Sequence, residues 1–440
     1  MPTSPRVGTG RQGRLPLPYT IRHIFTLIKG GGYRCDDIKP GIDDVRTVLP
    51  RTNPKEAGIE MKRVAICAVA QHKIESDIWY KRFQGMLLDV LEDIQRQTGF
   101  VFGGEKGVNN IVSCSDDFFD ARTISNNGVC DAIGAHYRGE DKMAQEGLNG
   151  IGYAMSLILS GHDEVVYFPA HCKESQAESR NVITNQAYDP FYCRCLGLDF
   201  LNAAGLQARA YMNKAKITEE QLAKVVVRAR QWAARNPYAN ETRQLELGDV
   251  MNSPMLCDPI RTLHAYPVSD GAVALLLASE KRAYEFTDNP VWITGFGNCM
   301  DSYFLGDRDL ASNFALKRAA AQAYKMAGIK NPRKKVDLVE LMDCYAYQQP
   351  LWLEGLGLCD EGMGGKFIDD YGPAQYNVNL SGGMLAGRPL MIGGLYGVVE
   401  AVLQLQGKAG EHQAADVNCA VVHSTTGGAG QFHTVVVLER

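Results

Sequence analysis

The sequence predicts an α/β protein made of two similar halves, and three observations carry that expectation. From Val64 onward, short apolar strands alternate with helices whose apolar residues recur at 3.6-residue spacing. Gly147-Leu-Asn-Gly-Ile-Gly-Tyr-Ala154 and Gly394-Leu-Tyr-Gly-Val-Val-Glu-Ala401 share Gly, Leu, Gly and Ala at the same offsets, and each opens an apolar helix that leads into an apolar strand. A glycine-dense stretch, residues 377–397, runs straight into the second of these helices; glycines so placed let a backbone pass close to a ligand and aim free N–H groups at it.

The elements follow in order. Val64-Ala-Ile-Cys-Ala-Val-Ala70 reads as a strand, and Phe83, Leu87, Val90, Leu91 and Ile94 give the next helix one buried stripe. Asn110-Ile-Val-Ser113 reads as a strand and 114–138 as a polar loop. Residues 146–160 read as a helix that is small and apolar nearly all round, hence central, followed by the strand Glu164-Val-Val-Tyr-Phe168. Residues 170–267 break the alternation with loops and one charged helix, 219–235, as an inserted lid would. Asp270-Gly271 reads as a turn before the strand 271–278; strand 291–294, a helix ending near the C-cap glycine Gly328, and strands 336–341 and 417–422 complete the pattern. The expected organisation is a partly ordered extension over 1–60, with Met61 as an alternative start, then a half over 61–290 that contains the lid and a half over 291–440. Packed together, the halves would bring two helix N-termini to a common centre, where their positive ends favour an anionic group.

Composition narrows the partners. A chain of 440 residues, 45% hydrophobic and 22% charged, can bury a large core, and a net charge of -4 gives no footprint for nucleic acid or an anionic membrane. No run of eighteen apolar residues and no secretory pattern is present, so the expected location is the cytoplasm and the expected partners are small molecules. Twelve scattered cysteines without a paired C-x-x-C read as reduced thiols, with neither a disulfide framework nor a metal site. No redox cofactor is indicated.

Several motifs taken together resemble the thiolase superfamily, in particular its lipid-transfer-protein and sterol-carrier-protein-X types. They are the Val268-Ser-Asp-Gly-Ala272 turn, Val339-Glu-Leu-Met-Asp-Cys-Tyr345, the loop around Asn377-Val-Asn-Leu-Ser-Gly-Gly383 and the closing His423-Ser-Thr-Thr-Gly-Gly-Ala-Gly430, over roughly 62–440. The resemblance implies duplicated α/β halves in a five-layer αβαβα arrangement with an inserted lid, a homodimer, and an acyl-coenzyme A thioester as substrate. It also implies that the substrate-binding backbone lies at Asn379, Ser381, Gly382, Gly383, Gly427 and Gly428.

The family's active-site positions do not carry their usual residues. The nucleophilic cysteine, which a helix N-terminus would keep as thiolate, falls on Ala144, and the serine two residues on falls on Glu146. The asparagine or histidine that helps hold an oxyanion falls on Met342, with Tyr345 in place of a phenylalanine. The histidine of Gly-His-Pro becomes Arg388, a permanent cation suited to a carboxylate or enolate, and the final Cys-x-Gly falls on Ser424-Thr425-Thr426, just after His423. Each has a plain structural reading beside the catalytic one: Arg388 pairing a structural carboxylate, Tyr345 and Tyr347 as half-buried core, His423 as a strand-end histidine, Glu146 as a dipole-complementing cap. Cys114, Cys130 and Cys172 lie on flanking loops without the family spacing.

The resulting expectation is carbon–carbon bond chemistry beside a thioester, retro-aldol in kind and without a cysteine acyl-enzyme, with Tyr345, Arg388, His423, Ser424 and Glu146 as catalytic candidates. A conventional acetyl-CoA acyltransferase with a displaced cysteine, and a non-catalytic acyl-CoA or lipid-binding subunit, are the alternatives. Relatives of the aldolase kind imply a small zinc-ribbon and OB-fold partner protein.

Overall fold

The computed structural model describes residues 63–104, 106–120, 125–144, 146–370 and 377–440, so the readings of 1–60 and of Met61 lie outside it. In chain order the sheet strands are β1 (Val64–Gln71), β2 (Asn110–Cys114), β3 (Gly139–Met143), β4 (Val165–Lys173), β5 (Asp270–Ser279), β6 (Val291–Met300), β7 (Leu338–Glu340), β8 (Asn377–Val378), β9 (Cys419–Thr426) and β10 (Phe432–Glu439). The longer helices are α1 (Phe83–Thr98), α2 (Gly147–Ser160), α3 (Phe200–Ala215), α4 (Glu219–Ala233), α5 (Phe314–Met326), α6 (Gln348–Gly355) and α7 (Gly393–Gln406).

The strands form one ten-stranded sheet in the order β8-β7-β9-β10-β6-β1-β5-β4-β2-β3. Read outward from the central β6–β1 pair, each half repeats the other, strand n matching strand n+5. The directions repeat as well. β1–β5 and β5–β4 are antiparallel while β4–β2 and β2–β3 are parallel; β6–β10 and β10–β9 are antiparallel while β9–β7 and β7–β8 are parallel. α2 and α7 occupy equivalent places, each leading into the fourth strand of its half, and they pack on each other. The duplication read from the two glycine motifs is therefore an architectural fact.

The layers follow from strand alternation. Along β5, Ala272, Ala274 and Leu276 join α1 in one core, while Val273, Leu275 and Leu277 join α2 and α7 in the other. α5 covers the second half of the sheet on the face away from α7, at Gly295 and Gly297. The buried residues of α1, Phe83, Met86, Leu87, Val90, Leu91 and Ile94, form the single stripe its periodicity predicts. α7 is buried along almost its whole length, whereas α2 leaves Ser156 and Ser160 open to solvent, so only one of the central helices is enclosed all round.

Three readings need correction, and one strand, β3, was not foreseen. β3 has no apolar alternation, since Gly-Glu-Asp-Lys-Met is a half-exposed edge strand, and charge on an edge is what blocks further pairing. β4 runs to Lys173, so the insertion begins later than residue 170. The lid contains a second long helix, α3, whose buried face is mostly small, with Ala203, Ala204, Gly205 and Ala208 beside Gln207, Tyr211 and Met212, and therefore gives a weak hydrophobic signal. Asp270 opens β5 instead of making a turn; it is buried, ion-paired to Lys173 at 2.8 Å, and accepts the Ile78 and Ser175 N–H groups at 3.0 and 2.9 Å.

Candidate active site

The N-termini of α2 and α7 meet, and what lies between them is a side chain of the protein. Glu146 caps α2 from an extended conformation; one carboxyl oxygen accepts the Leu148 N–H at 2.7 Å and the other accepts the Gly394 N–H of α7 at 3.2 Å. Two glycines permit this. A Cβ on Gly147 would stand 2.5 Å from the Leu395 side chain, and one on Gly394 would stand 2.5 Å from the Glu146 carboxyl. The Ser424 Cβ, at the end of β9, lies 2.8 Å from that same Gly394 position. The serine hydroxyl flanks the carboxyl and favours its charge without forming a hydrogen bond of good geometry.

Glu146 is almost fully buried, and loss of hydration pushes its carboxyl up to about 7. The N–H groups of the two helices and Ser424 oppose that shift but do not cancel it. A carboxyl poised there can take a proton or give one near neutrality.

Glu146 opens into a partly open cavity walled by Phe200 and Ala204 of α3, Tyr266, Met342, Tyr345 and Met391, with the Thr425–Gly430 turn along one side. Tyr345 stacks on Tyr347 at 6.3 Å and meets Tyr266 edge-on at 5.9 Å, and its hydroxyl makes no hydrogen bond to another described residue. Burial raises the phenol, so it stays protonated and serves as a donor. A wider groove lined by Ala144, Ile183 and Arg194 shares Phe200, Met391 and Thr426 with the cavity and leads to it from outside.

Apart from Gly427, the other predicted residues lie elsewhere. Arg388 is buried in an ion pair with Glu340 and also bonds Ser381, whose hydroxyl donates to Glu340 at 2.9 Å. Asn379 accepts the Leu341 N–H at 2.6 Å, and Gly382 and Gly383 pack against α4 and the Asn379 amide. The glycine-rich loop therefore braces β7 against the lid helix; its cavity-facing residues are Leu390 and Met391. His423 points to the face of β9 opposite Ser424, because adjacent strand residues alternate. There it contacts His433 at 2.9 Å and packs on Trp352, and burial holds it well below the usual histidine range, with His433 pushed down to about 3. Gly427 lines the cavity; Gly428, directly behind it, crowds the Tyr188 hydroxyl.

One thiol, Cys344, reaches the cavity, and burial beside Asp343 pushes it up, away from thiolate. Cys114 and Cys172 are buried near the Met391 backbone and are raised by the same cause. Tyr266, Phe200 and Gln348 were not anticipated. The first two come from the lid, where nothing in the sequence fixes orientation; Gln348 directly follows the Tyr345–Tyr347 run, which is its one signal in the sequence.

Residues 297–440 match the family described as thiolase C-terminal domain-like. The chain is 30% identical over 385 residues to an acetyl-CoA acetyltransferase of Methanothermobacter thermautotrophicus, covering 85% of this chain and 99% of that one. The chain belongs to the thiolase family. This thiolase-family chain is also 32% identical over 237 residues to sterol carrier protein 2 of Bos taurus, covering 51% of this chain and 43% of that protein. Among solved structures it matches one described as an Ltp2-ChsH2(DUF35) aldolase, with a TM-score of 0.72, 21% identity, and coverage of 86% of this chain and 97% of that chain. Among the described residues, no helix of this thiolase-family chain is long and apolar enough to cross a membrane.

Proposed function

We propose that this thiolase-family chain acts on an acyl-coenzyme A thioester and makes or breaks the carbon–carbon bond next to it without a cysteine acyl-enzyme. The observation that carries the reading is Glu146: a carboxyl near 7 stands at the paired helix tips, and the cavity thiol is raised instead of activated. In the cleavage direction, the Glu146 carboxylate takes the proton of a β-hydroxyl, and the carbon–oxygen bond becomes a carbonyl as the Cα–Cβ bond breaks. The electron pair passes to the thioester as an enolate. Glu146 then returns its proton to Cα, leaving a carbonyl compound and a shortened acyl-CoA. Tyr345, a buried phenol whose hydroxyl bonds to no other described residue, donates to the oxygen that becomes the carbonyl.

Retro-aldol chemistry is favoured over acyl transfer because a displaced nucleophile would have to be Cys344, whose surroundings oppose ionisation. The likeness to a structure described as an Ltp2-ChsH2(DUF35) aldolase supports the same reading. A homodimer of this chain and a small zinc-ribbon and OB-fold partner belong to the same proposal. The test is turnover of a β-hydroxyacyl-CoA by the chain co-purified with whatever it binds. Release of a carbonyl compound and a shortened acyl-CoA, insensitive to iodoacetamide, supports the proposal. Thiolysis of a 3-ketoacyl-CoA that iodoacetamide abolishes supports the acyltransferase instead, and tight acyl-CoA binding without turnover supports a binding subunit.

A further inference from the structure

If Glu146 occupies the paired helix tips, the thioester oxygen needs other donors, and the turn between β9 and β10 offers them. Residues 427–430 run through left-handed conformations at Gly427, Ala429 and Gly430, with φ of 79, 52 and 62°. The turn closes on the Gln431 N–H, and none of the N–H groups of 427–430 makes a hydrogen bond of good geometry to a described residue, although Gly428, Ala429 and Gly430 are buried. Buried N–H groups are rarely left unpaired, and several in succession in such a turn form a concavity suited to an anionic oxygen.

Three consecutive carbonyls of the same turn are engaged. Arg308, outside the catalytic candidates, donates to Gly428 O at 2.8 Å, Ala429 O at 2.5 Å and Gly430 O at 3.2 Å, and Gln207 of α3 donates to Ala429 O at 3.0 Å. The Arg308 side chain is buried, and the carboxylate nearest to it, Asp301, is 3.7 Å away. A buried guanidinium spent on three consecutive carbonyls fixes the direction of each peptide plane, because the C=O of one residue and the N–H of the next point to opposite sides.

We propose that Arg308 is a positioning residue: with Gln207 it holds the carbonyls of Gly428, Ala429 and Gly430 outward, so that the N–H groups of Ala429 and Gly430, two residues of the cavity wall, face the cavity and hold the thioester oxygen. This rests on the acyl-CoA reading of the cavity only for the identity of the oxygen; the placement of the turn stands apart from it. Lysine in place of Arg308 can reach one or two of the carbonyls, and glutamine cannot supply the fork.

Amide hydrogen exchange on the intact chain tests it, comparing the unaltered protein with Arg308→Gln and Arg308→Lys, each alone, with coenzyme A and with acetyl-CoA. In the unaltered protein, acetyl-CoA slows exchange over 427–431 by roughly fivefold or more, as one new hydrogen bond per N–H requires, and coenzyme A does not. Arg308→Gln loses that slowing while both ligands still protect the groove around 183–194, and Arg308→Lys keeps part of it. Retention of the slowing in Arg308→Gln overturns the proposal. So does its loss together with groove protection, which would mark a merely structural residue. If neither ligand protects the groove, the acyl-CoA reading has failed, and the ligand-free rates decide the turn: Arg308→Gln must change exchange over 427–431 severalfold with rates elsewhere unaltered, and unchanged rates there overturn it.

Discussion

The Gly394 N–H donates to the Glu146 carboxyl at 3.2 Å across 248 residues of sequence, joining the two halves of the chain at their equivalent helix tips. The concentration of positive dipole that duplication creates is thus directed at the protein's own carboxyl, and the carboxyl, desolvated, is left able to exchange a proton near neutrality.

Glu146→Gln keeps the shape of the cavity and removes the proton carrier. Turnover of a β-hydroxyacyl-CoA is expected to fall by about 10²–10⁴, the range for a positioned acid–base group. In the unaltered protein the kcat/KM profile should bend near pH 7, and in the variant that bend should disappear. A surviving bend at the same pH would assign it to another group, with Asp343, also raised to about 7 by burial, as the first candidate.

The same carboxyl shapes stability. Its folded value is raised from 4.5 to about 7, so the folded state holds a proton the unfolded chain has lost, and stability falls as pH rises through that window and levels off above it. Relative to Glu146→Gln, the unaltered protein should lose on the order of 3 kcal/mol between pH 4.5 and 8. Denaturant midpoints of both proteins across that range measure it; parallel curves would show that Glu146 ionises normally.

Arg388 is held in a buried ion pair with Glu340. Removing it strands the buried Glu340 carboxyl, so Arg388→Ala should destabilise by about 3–5 kcal/mol. Replacing both partners, Arg388→Met with Glu340→Leu, should recover much of that loss. Folded Arg388→Ala should retain turnover within about an order of magnitude, since no substrate contact is removed. A large rate loss at unchanged thermal midpoint would instead place the guanidinium on the substrate.

Cys344 is accessible to the cavity yet held as a thiol. Cys344→Ala should keep turnover within about fivefold, a cost of no more than roughly 1 kcal/mol in the barrier. Loss of activity on alkylation, restricted to protein that carries Cys344, would point to an acyl-enzyme.

The duplication was legible because it left its mark in glycines: Gly147 and Gly394 are required where two helices approach within a Cβ of each other, and that need survives in a single sequence. The strand faces were not. His423 and Ser424 are neighbours in a uniformly buried strand, so no polar–apolar alternation says which of them faces the helix tips, and register alone sends the histidine to the far side. Arg388 was placed near the chemistry by its position in the loop, but its partner, Glu340, lies on another strand, and long-range ion pairs leave no periodic trace. The lid contributed Phe200, Tyr266 and Gln207 for the same reason: tertiary contacts, with no local pattern, decide where they point.

Solvent exchange at the thioester α-carbon tests the central claim most directly. With an acyl-CoA in deuterium oxide, the unaltered protein should exchange α-protons, Glu146→Gln should not, and intact-mass spectra should show no acyl adduct on the chain. Exchange undiminished in Glu146→Gln, or an acyl group recovered on a cysteine, would contradict the account.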